Sequence, residues 1–281
     1  VILSSRFTEA ERSECERIIL AARKKYGLRV IGPNSLGVIL PHIGLNATFL
    51  KKNPKPGNIA LIAPLLGDAI LDWGETVGIG ISMFASLGSM IDVGYGDLID
   101  LLTFDYHTRS LMIYMESVGN AKRFISAARG FAFSKPIVVL KPGRSKAVVP
   151  LIERRGGKTG DDRVYDAVFR RVGIVRVAEV VDLFNMAKVL DSHSLPRGPR
   201  LAVVTNAGDV GIMAAEALAR LGGKLAKISA GNLDRGDVFL PEQWHEYFQV
   251  DVEGDEDIRR YVNTVEVCLR DDGVDGILVI Y

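Results

Sequence analysis

The chain has 281 residues with 48% hydrophobic and 25% charged side chains, and 35 Lys+Arg against 34 Asp+Glu leave a net charge of +1. That is the profile of an ordinary globular protein large enough for two domains of roughly 100–200 residues, without the basic footprint of a nucleic-acid binder or an acidic disordered tail. Cys15 and Cys268 stand far apart with no CxxC or Cys/His cluster, so neither a disulfide framework nor a metal site is indicated and a reducing cytoplasm is expected.

No apolar run reaches the roughly 18 residues of a membrane span, and Val1-Ile2-Leu3 does not open a signal peptide. The chain begins without Met and stops inside the apolar run Gly276–Tyr281, which reads as a fragment. Thr8 with Glu11 three residues later is a capping-box signature, and apolar residues at helical spacing up to Gly27 predict a helix over about 9–26. Leu28–Ile31 reads as a short strand, followed by a tight turn at Gly32–Gly37 and a domain edge. From Gly57 strands and helices alternate. Strands are expected at 59–63, 81–86, 111–115, 137–140 and 174–177, with helices at 68–76, 97–102, 121–132, 162–171 and 179–190. These strands are continuous apolar runs, so the sheet should be parallel with both faces covered.

Asp191–Pro199, polar and broken twice by Pro, is the best linker, placed at 191–200. Beyond it the order repeats: strand 201–205, a turn at Asn206-Ala207-Gly208, helix 210–221, strand 224–228, helix 256–270 and strand 276–281. The fold class expected is α/β: two flavodoxin-like, doubly wound, parallel-sheet domains at 32–190 and 201–281, the second incomplete. Gly67 and the turn Asn206-Ala207-Gly208 each link a strand to a helix N-terminus, where unpaired N–H groups favour anions. Small residues there also simply let helix pack on strand, and spacing does not separate the two readings. Neither turn is a Walker loop or a GxGxxG fingerprint.

Gly32-Pro33-Asn34-Ser35-Leu36-Gly37, Ala69–Trp73, Ser86-Leu87-Gly88, Lys135–Lys141 with Gly143-Arg144, Val164–Ala167, Val203–Gly208 and Gly273–Gly276 resemble NDP-forming acyl-CoA synthetases, relatives of the succinyl-CoA synthetase alpha subunit. The resemblance implies that residues 1–31 are the tail of a CoA-binding Rossmann domain. It also implies two succinyl-CoA-synthetase-like domains, a partner ATP-grasp domain or subunit carrying ADP/ATP with Mg, and an oligomer. CoA or acyl-CoA would lie at Pro33, Asn34 and Ser35, phosphate at Gly67 and at Asn206, Ala207 and Gly208, and Glu116 would match the carboxylate that supports a phosphohistidine.

The sequence departs from the family at the nucleophile, because Arg154 stands at or beside the expected His and no His lies between His107 and His193. Arginine stays protonated and offers no lone pair. The first phosphate turn, Ala63-Pro64-Leu65-Leu66-Gly67, is about two residues short, and Asp209 follows the second. These departures imply a degenerate synthetase, a CoA-binding regulatory module resembling the synthetase region of bacterial protein lysine acetyltransferases with a GNAT domain outside the fragment. The alternative is an active ADP-forming ligase whose loop residues are missing from the chain as given. His42, His107, His193 and His245 are assigned no role. Trp73 and Trp244 are expected in a core or interface. Arg154-Arg155 with Lys158 is read as a solvated loop, or as holding an anion without chemistry.

Overall fold

The computed structural model describes residues 1–3, 9–51, 53–63, 67–76, 78–145, 147, 149–150, 160–191, 196–205, 207–229, 249–251 and 258–281. The chain divides into two compact units, Val1–His193 and Ser194–Tyr281.

In the first unit α1 spans Glu9–Tyr26 and a hairpin follows, β1 Gly37–Leu40 and β2 Leu45–Thr48. The alternating part comprises β3 Pro56–Ile62, α2 Gly67–Thr76, β4 Ile81–Ser86, α3 Tyr95–Thr103, β5 Ser110–Tyr114, α4 Ala121–Ala132, β6 Ile137–Leu140, α5 Asp162–Val172, β7 Ile174–Val177 and α6 Val180–Asp191. Seven strands form one sheet in the order β2-β1-β4-β3-β5-β6-β7. The five from β4 to β7 are mutually parallel.

Two expectations are corrected here. The sheet is not wholly parallel, because β1 pairs antiparallel with both β2 and β4 and carries the hairpin onto the edge. Its turn is a 3-10 segment, Pro41–Ile43, closed by left-handed Gly44, and neither strand alternates strongly enough to be read from sequence. Leu28–Ile31 is not a strand; this stretch is held by the Ile2 amide donating to the Ile31 carbonyl at 2.9 Å and by a bridge from Leu3 to Ser35. The Thr8 cap lies outside the described residues.

Continuous apolar strands are explained by two cores. Ile137 and Val139 of β6 face one cluster with Phe124, Phe131 and Phe169, while Val138 and Leu140 face another with Leu71, Leu183 and Phe184. Successive strand side chains alternate between faces, so each residue of such a strand needs a core of its own. Helix ends follow capping rules: the Asn120 side chain accepts from the Arg123 amide at 3.1 Å, and the Asp161 carboxylate accepts from Arg163 at 2.9 Å. Gly173, at φ 80°, ends α5.

The second unit holds β8 Arg200–Thr205, α7 Gly208–Arg220, β9 Lys224–Leu225, β10 Gln249–Asp251, α8 Ile258–Arg270 and β11 Gly276–Ile280. All pairings are parallel around β8, with β11 on one side and β9 and β10 on the other. The strand expected to reach Ile228 ends at Leu225, and β10 was not anticipated. Both cysteines are free, and burial pushes the Cys268 thiol up to about 11. Among the described residues no helix is long and apolar enough to cross a membrane.

Phe131 is fully buried in the first cluster. Replacing Phe131 by Ala should cost about 3–5 kcal/mol, seen as a lower urea midpoint at unchanged slope; a loss below about 1 kcal/mol would contradict this packing.

Candidate functional site

Strand order places the loops. After β3 the chain steps to β4 on one side and then to β5 on the other, and ligands in open parallel sheets gather beyond the carboxyl ends at such a switch. Glu116 lies there. The Met115 amide, just past β5, donates to the Leu140 carbonyl at 3.1 Å, so the segment carrying Glu116 runs beside that carrying Lys141.

Around these two residues lie groups that sequence reasoning had not joined into a site. Tyr95, first residue of α3, is buried and donates from its hydroxyl to the Tyr114 carbonyl at 3.3 Å. Burial foremost, and then the charge of Glu116, push its phenol well above the ordinary value. The Lys141 side chain is only 3% exposed. Its ammonium donates to the Pro142 carbonyl at 3.1 Å and sits 4.2 Å from the centre of the Tyr165 ring, with no carboxylate in ion-pair range among the described residues. Burial lowers its pKa, against the pull of Asp162 and with the push of Arg176. Burial raises the Tyr165 phenol, opposed by a hydrogen bond with the Val118 backbone.

Arg176 interrupts the apolar strand β7 because it fastens α5 to the sheet. One terminal nitrogen donates to Asp162 at 3.0 Å and Asp166 at 2.7 Å; the other donates to Asp162 at 2.6 Å and to the Lys141 carbonyl at 3.0 Å. The hydrogen bond from Arg176 holds the Asp166 carboxyl below its usual range. A buried cation in an apolar run must be paired, and that was the signal available in the sequence.

On the other side of β3, the loop after β4 is tied to the segment 29–35. The Ser89 amide donates to Pro33 O at 2.9 Å and the Val93 amide to Val30 O at 3.1 Å. Gly88, at φ +60°, packs so closely that a Cβ would overlap the Pro33 and Asn34 carbonyls. Asp92 accepts from the Val30 amide at 2.7 Å and pairs with Arg23 and Arg29. Burial pushes its carboxyl up, but the Val30 hydrogen bond and the two guanidiniums outweigh that and hold it below the usual carboxylate range.

The residues expected at the site fare differently. Ser35 is buried, and its hydroxyl donates to the Ser86 carbonyl while accepting from the Gly37 amide at 2.9 Å. Its side chain therefore stitches the turn to β4. Pro33 is buried and Asn34, at φ 58°, is half-buried. Gly67 opens α2, as expected of a helix N-terminus. Ala207 caps α7, but its amide donates to the Thr205 hydroxyl at 3.0 Å, so one donor of that turn is already used. Asp209 is exposed in the first turn. Arg154, Arg155, Lys158, Asn206, His193, His245 and Trp244 lie outside the described residues, as does the Trp73 side chain. His42 and His107 stack with centroids 3.9 Å apart, and His42 Nε2 contacts Gly57 O at 2.8 Å, a structural pairing away from the carboxyl edge. Among the described residues no group of three His, Cys, Asp or Glu could hold a metal.

Residues 56–190 match the family of the succinyl-CoA ligase like flavodoxin domain. The whole chain is 32% identical to the Pyrococcus furiosus acetate–CoA ligase [ADP-forming] I subunit alpha, spanning 62% of it. It is also 32% identical over its whole length to the Archaeoglobus fulgidus acetate–CoA ligase [ADP-forming] I, spanning 41% of that protein. Residues 56–190 are thus similar to the succinyl-CoA ligase like flavodoxin domain, and the whole chain is similar to the alpha subunit of an ADP-forming acetate–CoA ligase. A solved dinucleotide-forming acetyl-coenzyme A synthetase 1 of Ca. Korarchaeum cryptofilum, in complex with phosphate and ADP, superposes at TM-score 0.91 with 30% identity. That match covers all of this chain and 61% of the other. The chain thus spans less than two thirds of the relatives it matches.

Two outcomes check the site. Arg176→Gln should cost about 2–4 kcal/mol in urea unfolding, below the cost of breaking a fully buried pair because Asp162 and Asp166 are partly exposed; an unchanged midpoint would refute the pairing. Because the folded pKa of Asp92 is depressed, its contribution is complete above about pH 4 and is lost as pH falls through the folded value. Asp92→Asn should therefore flatten the acid limb of the stability-against-pH curve, and a parallel limb in both proteins would refute it.

Proposed function

We propose that the chain is the alpha-type portion of an ADP-forming acyl-CoA ligase. The observation that carries this reading is likeness over the entire chain, through both units, to acetate–CoA ligases and to an acetyl-CoA synthetase structure. In this reading residues 1–31 are the tail of a CoA-binding domain, and CoA or acyl-CoA passes Pro33 and Asn34. Anionic phosphate is offered the helix N-termini at Gly67 and at Ala207-Gly208, where the helix dipole favours it. Glu116 orients the group that carries phosphate. ADP and Mg belong to an ATP-grasp domain or subunit, the whole forms an oligomer, and a cytoplasmic location fits this chemistry.

A second reading is favoured by one observation. The stretch from Gly143 to Tyr165 is continuous in sequence and contains no His, with Arg154 in the expected place. A guanidinium cannot accept a phosphoryl group as an imidazole does. Asp209 and the occupied Ala207 amide weaken the second phosphate turn in the same direction. The chain would then bind CoA or acyl-CoA without ligation, as a regulatory module. None of the relatives named above is an acetyltransferase, so a GNAT partner has no support from them.

The full-length protein with its ATP-grasp partner, given acetyl-CoA, phosphate and ADP, should form ATP together with an acid-labile phosphoprotein. Acetyl-CoA binding without either product would select the non-ligating reading, and absence of binding would overturn both.

A further inference from the structure

Met90 is one of two residues other than glycine with positive φ among the described residues, at 52°. A left-handed backbone costs a methionine energy that glycine or asparagine would largely avoid, so a side chain kept there needs a reason. The loop that presents it is pinned on one flank: Ser89 donates to Pro33 O, and Gly88 lies against the Pro33 and Asn34 carbonyls. On the other flank the Met90 sulfur and methyl stand 3.8 and 3.7 Å from where a Cβ on Gly119 would be, in the loop that begins with Glu116. Met90 is only half-buried and, with Val118, packs on the rim of the first core. Its loop therefore touches the Pro33–Asn34 turn through Gly88 and Ser89, while its thioether lies beside Gly119 in the loop that begins with Glu116.

We infer that Met90 is a specificity-determining residue: its thioether is the wall against which the acyl group of an acyl-CoA packs, and it limits that group to small size. The inference rests on the ligase-type reading, in which acyl-CoA passes Pro33 and Asn34 and Glu116 orients the phosphate-carrying group. A flexible, polarisable methionine suits such a wall, because it fills the space beside Gly119 and yields only partly to a larger group. Gly119, at φ +65°, leaves the thioether in ordinary contact distance of that loop.

The test is calorimetric titration of the full-length protein, with its ATP-grasp partner, using CoA, acetyl-CoA and phenylacetyl-CoA, so that turnover is not required. Met90→Ala and Met90→Gly should shift the ratio of acetyl-CoA to phenylacetyl-CoA affinity toward the larger thioester by about tenfold or more, the scale on which apolar pockets discriminate, with CoA itself unchanged. Met90→Gly also relieves the backbone, so it keeps the test valid should the alanine variant fold poorly. An unchanged ratio in the variants overturns the inference and leaves the ligase-type reading standing. Equal loss for CoA and both thioesters would make Met90 a prop of the loop and overturn it likewise. A wild-type protein that binds none of the three overturns the inference together with the reading beneath it.

Discussion

A parallel strand pair cannot be closed by a tight turn; it needs a crossover of a dozen or more residues, and the crossover helices must bury an apolar stripe on the sheet. Between Pro56 and Val177 that constraint operates on five neighbouring strands, which split their side chains between two cores. All five strands therefore end at one edge. Ala63, Leu87, Met115 and Lys141 follow β3, β4, β5 and β6 there, and the candidate site is the set of loops these residues begin.

Charge is admitted to this interior only where it performs a fastening. Arg176 joins α5 to β6 and β7 through two carboxylates and a carbonyl, and Asp92 joins the 23–30 segment to the loop after β4. Gly88 lets two backbones meet where any side chain would separate them. These contacts make the Pro33–Ser35 turn and the Met90 loop one rigid rim. Lys141 differs, since its buried ammonium has a carbonyl and an aromatic face but no carboxylate in range among the described residues.

Likeness to ADP-forming ligases runs through both units, and no His lies between His107 and His193. Folding depends on many apolar contacts that tolerate exchange of one aliphatic residue for another, so the scaffold survives at about 32% identity.

What the sequence by itself determined were the elements with strong local signatures. The strands at 81–86, 137–140 and 174–177 and the helix at 121–132 were placed residue for residue, because apolar runs, an Asn cap and a Gly stop act over a few residues. The choice of parallel pairing for the core and the repeat of the pattern after Pro199 were legible for the same reason. The edge hairpin, the loss of strand at Leu28–Ile31 and the union of Tyr95, Lys141, Tyr165 and Arg176 with Glu116 were decided only by tertiary structure. Those features depend on hydrogen bonds and ion pairs between segments from 10 to 63 residues apart, and nothing local in the chain encodes the meeting. Ser35 shows the difference most plainly: its turn is legible from Gly and Pro, and only folding brought its hydroxyl to Ser86, 51 residues away.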